Sequence, residues 1–128
     1  MNEFLEKLDA FIEERIKEQD DSYAKWYKKS KYYHKPTIEE VFGALIGADI
    51  INFREAIKND SDLTSYIKEF EETAKRWGAS WYDEDLDCDR SGYEWESKVY
   101  VFLRNIAAES IGENPINLDA YYEGYGEA

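Results

Sequence analysis

Apolar residues at Phe4, Leu8, Phe11, Ile12, Ile16, Tyr23, Trp26 and Tyr27 recur three or four positions apart, the spacing of one helix face. The stripe predicts a helix from about residue 3 to about residue 33, either continuous or broken at Asp20-Asp21-Ser22, with Ser22 capping a second piece. Pro36 disfavours helical geometry at Lys35 and closes it. Thr37-Ile38-Glu39-Glu40 then reads as a capping box, in which hydroxyl and carboxylate each satisfy a backbone N–H that the first turn leaves free. The second helix is expected over 38–58, stopping at Asn59-Asp60. The third is the clearest. Ser61 or Asp60 caps it, Leu63, Tyr66, Ile67, Phe70, Ala74 and Trp77 form one stripe, and Gly78 is expected in the left-handed conformation that ends helices.

The stretch ASWYDEDLDCDR follows, an acidic connector with little helical period. Ser91-Gly92-Tyr93-Glu94 is a second candidate capping box, opening a helix with Val99, Phe102, Leu103 and Ile106 on its stripe and Gly112 and Pro115 beyond its end. A short turn is expected over 117–122, and residues 119–128 read as a loosely held tail. No internal repeat, linker or alternation strong enough for a sheet stands out. The pattern predicts one all-α domain over residues 1–128: a compact bundle of four to five helices with an acidic connector before the last long helix.

Composition sharpens this picture. The chain has 128 residues, 43% of them hydrophobic, and its aromatic fraction of 16% argues for a folded core rather than disorder. One cysteine, Cys88, allows no internal disulfide and points to a reducing compartment, so a cytoplasmic location is expected. The first residues, MNEFLEKLDAF, lack the basic and long apolar regions of a signal peptide. The most apolar run, VFGALIGADII, is far short of the ~20 residues of a membrane span. A net charge of −13 disfavours direct binding to nucleic acid.

The charge is unevenly placed. Residues 1–22 carry eight acids and three bases, and residues 78–128 carry twelve and three. Between them YAKWYKKSKYYHK, residues 23–35, has five lysines and no acid. On a helical wheel Tyr23, Trp26, Tyr27 and Tyr33 continue the apolar stripe, which makes them core. Lys25, Lys28 and Lys29 fall on the opposite arc with Tyr32 among them. Three roles fit that arc: a solvated face, a docking patch for an acidic surface of a partner or of a second copy of this chain, and contact with single-stranded nucleic acid. The strongly negative remainder of the chain opposes the last.

WYDEDLDCDRSGYEWE carries the sharpest chemistry. Asp85, Asp87, Asp89, Ser91 and Glu96 stand at positions 1, 3, 5, 7 and 12 of a calcium-loop pattern, and a second register uses Asp83, Asp85, Asp87 and Glu94. Alternate carboxylates suit Ca2+ because a loop curled round the ion turns every second side chain inward. The glycine that position 6 needs is absent, with Arg90 or Cys88 in its place. The plainer reading is a solvated acidic loop. A third is that Asp83, Glu84, Asp85, Asp87, Asp89 and Glu94, held on a stiff frame, imitate a row of phosphates. In general build, small, very acidic, aromatic-rich and helical, the chain resembles the DNA-mimic inhibitors that phages and mobile elements use against restriction or CRISPR nucleases. That resemblance lies in composition and covers no motif. It implies a non-enzymatic protein occupying a nucleic-acid groove on a basic partner.

Other candidates carry less. His34, the one histidine, sits at a predicted helix end, and Cys88 is flanked by acids that disfavour its thiolate. Together they are too few for a zinc site. Asp49 falls within the arc of Ile38, Val41, Leu45, Phe53 and Ala56, where a carboxylate needs a partner. Gly43 and Gly47 allow close approach of another helix, and Ile50 and Ile51 widen the apolar surface toward a central helix or a homodimer contact. The leading expectation is a non-catalytic interaction protein for a basic protein partner, needing no cofactor, with its contacts on the acidic connector and on Lys25, Lys28, Lys29 and Tyr32. The alternatives are a calcium-binding module and a small enzyme whose site, with Asp49, His34 and an arginine, assembles only in the fold.

Overall fold

The computed structural model describes residues 2–27, 29, 31 and 33–124. The protein is all-α apart from one small hairpin. Its elements are α1 (Asn2–Tyr27), α2 (Ile38–Phe42), α3 (Ala44–Lys58), α4 (Thr64–Gly78), β1 (Trp81–Asp83), β2 (Cys88–Arg90) and α5 (Glu94–Ser110). They fall into two compact units, Met1–Ser61 and Asp62–Ala128.

In the first unit α1 runs unbroken through Asp20-Asp21-Ser22. Leu8, Ile12 and Ile16 are buried, as the stripe requires, and Phe11 meets Phe42 of α2 with ring centroids 6.1 Å apart. The expected capping box is present in full. Glu40 N–H donates to Thr37 Oγ1 at 3.2 Å, and Thr37 N–H donates to Glu40 Oε1 at 3.1 Å. The expected single helix over 38–58 is two. Gly43 has φ +87 and ψ 164, so the backbone turns out of helical geometry there and resumes at Ala44. That break resets the phase of α3, whose buried face is Ile46, Gly47, Ile50, Phe53 and Ile57. Leu45, expected inside, is exposed, and Asp49 is only half-buried. Gly47 is the point of close approach: a Cβ there would lie 3.3 Å from the Glu39 backbone of α2. At the end of α3, Asp60 takes the left-handed conformation with φ 53. Ser61 N–H then reaches Ala56 O and Asp60 N–H reaches Ile57 O, satisfying carbonyls the helix end leaves open.

In the second unit neither Ser61 nor Asp60 caps α4. Asp62 does that work, its Oδ1 accepting from Thr64 N–H and from the Thr64 hydroxyl. Leu63, Phe70 and Ala74 are buried. Phe70 packs on Tyr66 at 5.3 Å and on Tyr100 of α5 at 5.9 Å between centroids. α5 is buried round most of its circumference, with Val99, Tyr100, Val101, Leu103, Ile106, Ala107 and Ala108 inside. Burying a side chain such as Leu103 stabilises by about 2 kcal/mol against leaving it in water. Three polar residues are buried among them, and each is hydrogen-bonded. Ser97 donates to Ala74 O at 2.9 Å. Arg104 pairs with Glu71 at 2.9 Å and donates to the Asn105 side chain. Asn105 both donates to Ile116 O and accepts from Ile116 N–H. Beyond the end of α5, Gly112 takes φ +83, with the same pair of closing bonds as follows α3. Among the described residues no helix is long and apolar enough to cross a membrane.

Candidate partner-binding surface

Gly78 closes α4 for a reason other than the one expected. It is not left-handed; it is the last helical residue, and a Cβ on it would stand 2.1 Å from Tyr121 O and 2.8 Å from Ser97 Oγ. Gly92 is packed as tightly, its hypothetical Cβ 2.0 Å from Gly78 O. Three stretches of chain therefore meet with no room for side chains, and backbone bonds join them. Tyr93 N–H donates to Trp77 O at 2.7 Å, Glu123 N–H to Gly78 O at 2.8 Å and Gly92 N–H to Glu123 O at 3.2 Å. The Glu123 carboxylate also accepts from the N–H and hydroxyl of Ser80. Those two donors hold its pKa below the ordinary glutamate value. Residues 119–124, read from sequence as a loose tail, carry these contacts; residues 125–128 lie outside the described residues.

The clamp fixes the base of a hairpin where the sequence promised an irregular connector. β1 and β2 pair antiparallel with Trp81 opposite Arg90, Tyr82 opposite Asp89 and Asp83 opposite Cys88. Four residues, Glu84 to Asp87, cross between them. Asp83 Oδ1 accepts the N–H groups of Asp85 and Leu86 at 3.0 and 3.2 Å, and Asp87 is left-handed with φ 50, accepting a hydrogen bond from the Tyr82 hydroxyl. Asp83 and Asp87 thus build the turn, whereas Glu84, Asp85 and Asp89 are exposed carboxylates. No capping box forms at Ser91. The Gly92 and Tyr93 contacts hold that segment extended, and α5 begins at Glu94 with Tyr93 as an N-cap that makes no side-chain bond.

The hairpin presents more than charge. Among the described residues, Trp81, Tyr82, Leu86, Tyr93 and Trp95 are five of the eight exposed large hydrophobics, all within one fifteen-residue stretch. Trp77 supports Tyr93 edge-on at 5.5 Å. Over residues 81–96 stand seven carboxylates and one base, Arg90.

The other expected site residues are dispersed. Asp85 and Asp87 lie in the turn, Asp89 in β2, Ser91 after it, and Glu94 and Glu96 in α5, where Glu94 pairs with Lys98 at 2.8 Å. Among the described residues no three His, Cys, Asp or Glu side chains come together to hold a metal ion. Lys29 is exposed; Lys28, Tyr32 and the side chain of Lys25 lie outside the described residues. His34 is exposed beside Glu40, Nε2 to carboxylate 3.1 Å, and that contact together with the Thr37 N–H lowers the Glu40 pKa. Arg54 is taken by Asp9 at 2.7 and 3.1 Å. The first unit also has a cleft of about 500 Å³ lined by Glu13, Glu14, Lys17, Asp20, Asp21 and Lys35, with Lys35 bound to Glu13 at 3.1 Å. Comparison with protein-family models, curated proteins and solved structures finds no match for the chain.

Proposed function

We propose that this chain is a non-catalytic interaction protein that engages a basic protein partner through the carboxylates and exposed rings of residues 81–96. The observation that carries this reading is the coincidence, within residues 81–96 (the clamped hairpin and the start of α5), of five of the eight exposed large hydrophobic side chains among the described residues and seven acids. Rings supply contact area at low entropic cost, and a rim of one charge steers a complementary surface and fixes its register. A nucleic-acid-binding protein is the partner class that fits best, because its groove is already arranged to receive closely spaced negative charge. In that setting the chain acts as an inhibitor by occupying the groove.

The test compares the wild-type chain with two variants as baits in lysate, at low and high salt. One neutralises the hairpin (Glu84→Gln, Asp85→Asn, Asp89→Asn); the other neutralises three α1 acids (Glu3→Gln, Glu6→Gln, Glu14→Gln). A basic protein should be retained at low salt by the wild type and the α1 variant, and lost from the hairpin variant. Retention of no basic protein, or equal retention by all three baits, overturns the reading.

A further inference from the structure

The hairpin already holds one guanidinium of its own, and the manner of holding defines a recognition mode. Arg90 lies over the ring of Trp81, 5.9 Å from the centroid, with Nη1 3.8 Å from Asp83 Oδ2. Residues two apart on a strand share a face, so ring, carboxylate and cation stand together on one side of the ribbon. The opposite side repeats two of the three. Tyr82 and Asp89 are direct partners across the ladder, which places their Cβ atoms at about 5 Å. Tyr82 is 54% exposed and Asp89 is exposed too. The Tyr82 hydroxyl bond to Asp87 anchors the far end of the ring. No cation among the described residues occupies this pair.

We propose that the Tyr82–Asp89 face receives an arginine side chain of the protein partner, the guanidinium flat on the Tyr82 ring and hydrogen-bonded to the Asp89 carboxylate. The inference rests on the reading that residues 81–96 engage a basic protein, and it adds a choice of arginine over lysine. A guanidinium is planar, stacks on a ring and offers parallel N–H donors to a carboxylate, whereas an ammonium is a strongly hydrated point charge. A carboxylate alone already favours the guanidinium where two donors can meet it, and a ring beside the carboxylate widens that preference. Glu84 and Asp85 in the turn extend the negative field along an incoming segment, so an arginine-rich stretch of the partner is the occupant whose charge matches.

Titration of the whole chain with oligoarginine and oligolysine of equal length, followed by tryptophan fluorescence and calorimetry at low salt, tests this. Oligoarginine should bind tighter, by at most about five-fold for each ring engaged, which is the whole of an exposed cation–π contact. Tyr82→Phe should keep that preference, since the ring remains, and Tyr82→Ala with Asp89→Asn should reduce it while leaving the oligolysine affinity within the loss due to one charge. Circular dichroism of each variant shows that the helices are intact. Equal affinity for the two peptides, or a preference undiminished in the double variant, overturns the arginine pair and leaves the basic-partner reading standing. Binding of neither peptide overturns both.

Discussion

At the scale of single residues, the positions that matter most for the proposed surface are ones that carry no chemistry. Gly78 and Gly92 let α4, the approach to α5 and residues 121–123 come within backbone contact, and that contact sets the base of the hairpin. The nearest atom a new side chain would strike is in each case a backbone carbonyl oxygen, of Tyr121 at Gly78 and of Gly78 at Gly92, so relief requires the backbone to move. Gly78→Ala should therefore destabilise by about 2–3 kcal/mol, in the range of overpacking a closed interior. Urea unfolding measures this, and hydrogen exchange at the Glu123 amide, which donates to Gly78 O, should quicken in step. A loss below about 0.5 kcal/mol, the size of an ordinary surface substitution, would show that the three segments are not locked together. Glycine is the one residue whose helix-ending role the sequence invites, and here that expectation misplaces the cause. The φ at Gly78 is ordinary, and the demand on it is steric and comes foremost from the Tyr121 carbonyl, more than forty positions away.

At the scale of elements, features whose causes are local were legible and those with distant causes were not. The Thr37–Glu40 box is made by side chains three residues apart, and it forms as read. The stripes of α1 and α4 bury Leu8, Ile12, Ile16, Phe70 and Ala74 as their spacing required. The break at Gly43 turns on one residue inside an otherwise continuous apolar period, and only its positive φ reveals it. Missing that break rotated the expected face of α3, placing Leu45 and Asp49 inwards. The hairpin has no apolar alternation to betray it, since both strands are exposed at two of three positions and are held by a turn built from Asp83 and Asp87. The Ser91 box does not form because Gly92 and Tyr93 are held by Glu123 O and Trp77 O with Tyr93 extended, so that the helix starts only at Glu94. Equally hidden was the polar network of α5, where Asn105 exchanges two hydrogen bonds with Ile116 and so ties the segment after the helix to its core. Asn105→Ala leaves the Ile116 N–H and carbonyl without those partners and should cost about 2 kcal/mol. Denaturation midpoints read the loss, and a change within error would mean that water replaces the amide.

For the whole molecule, charge and hydrogen bonding pull stability in opposite directions as pH falls. At neutral pH the net −13 repels itself and destabilises the compact state, so salt should raise the unfolding temperature there. Acidification toward the isoelectric point of about 4.5 removes that repulsion and should raise it further. Three carboxylates oppose the trend at the acid end. Glu40 beside His34 and Thr37, Asp62 on Thr64 and Glu123 on Ser80 all have pKa values below their ordinary ones. A group whose folded pKa is depressed contributes stability that is present above its ordinary value, about 4, and is lost as pH falls through the folded one. Each of the three also closes a specific contact: a helix start, a second helix start and the clamp beneath the hairpin. At the alkaline end Lys98, held by Glu94 and Asp119, has a raised pKa, so its contribution lasts until pH rises past the ordinary lysine range of about 10. The unfolding temperature should thus climb from pH 7 to about 5 and fall below about 4. Glu123→Gln, which keeps an amide oxygen for Ser80 but no charge, should flatten the acid limb, since one of the groups that must protonate is gone. An acid limb of unchanged steepness in that variant would place the loss elsewhere and detach the hairpin clamp from the pH response.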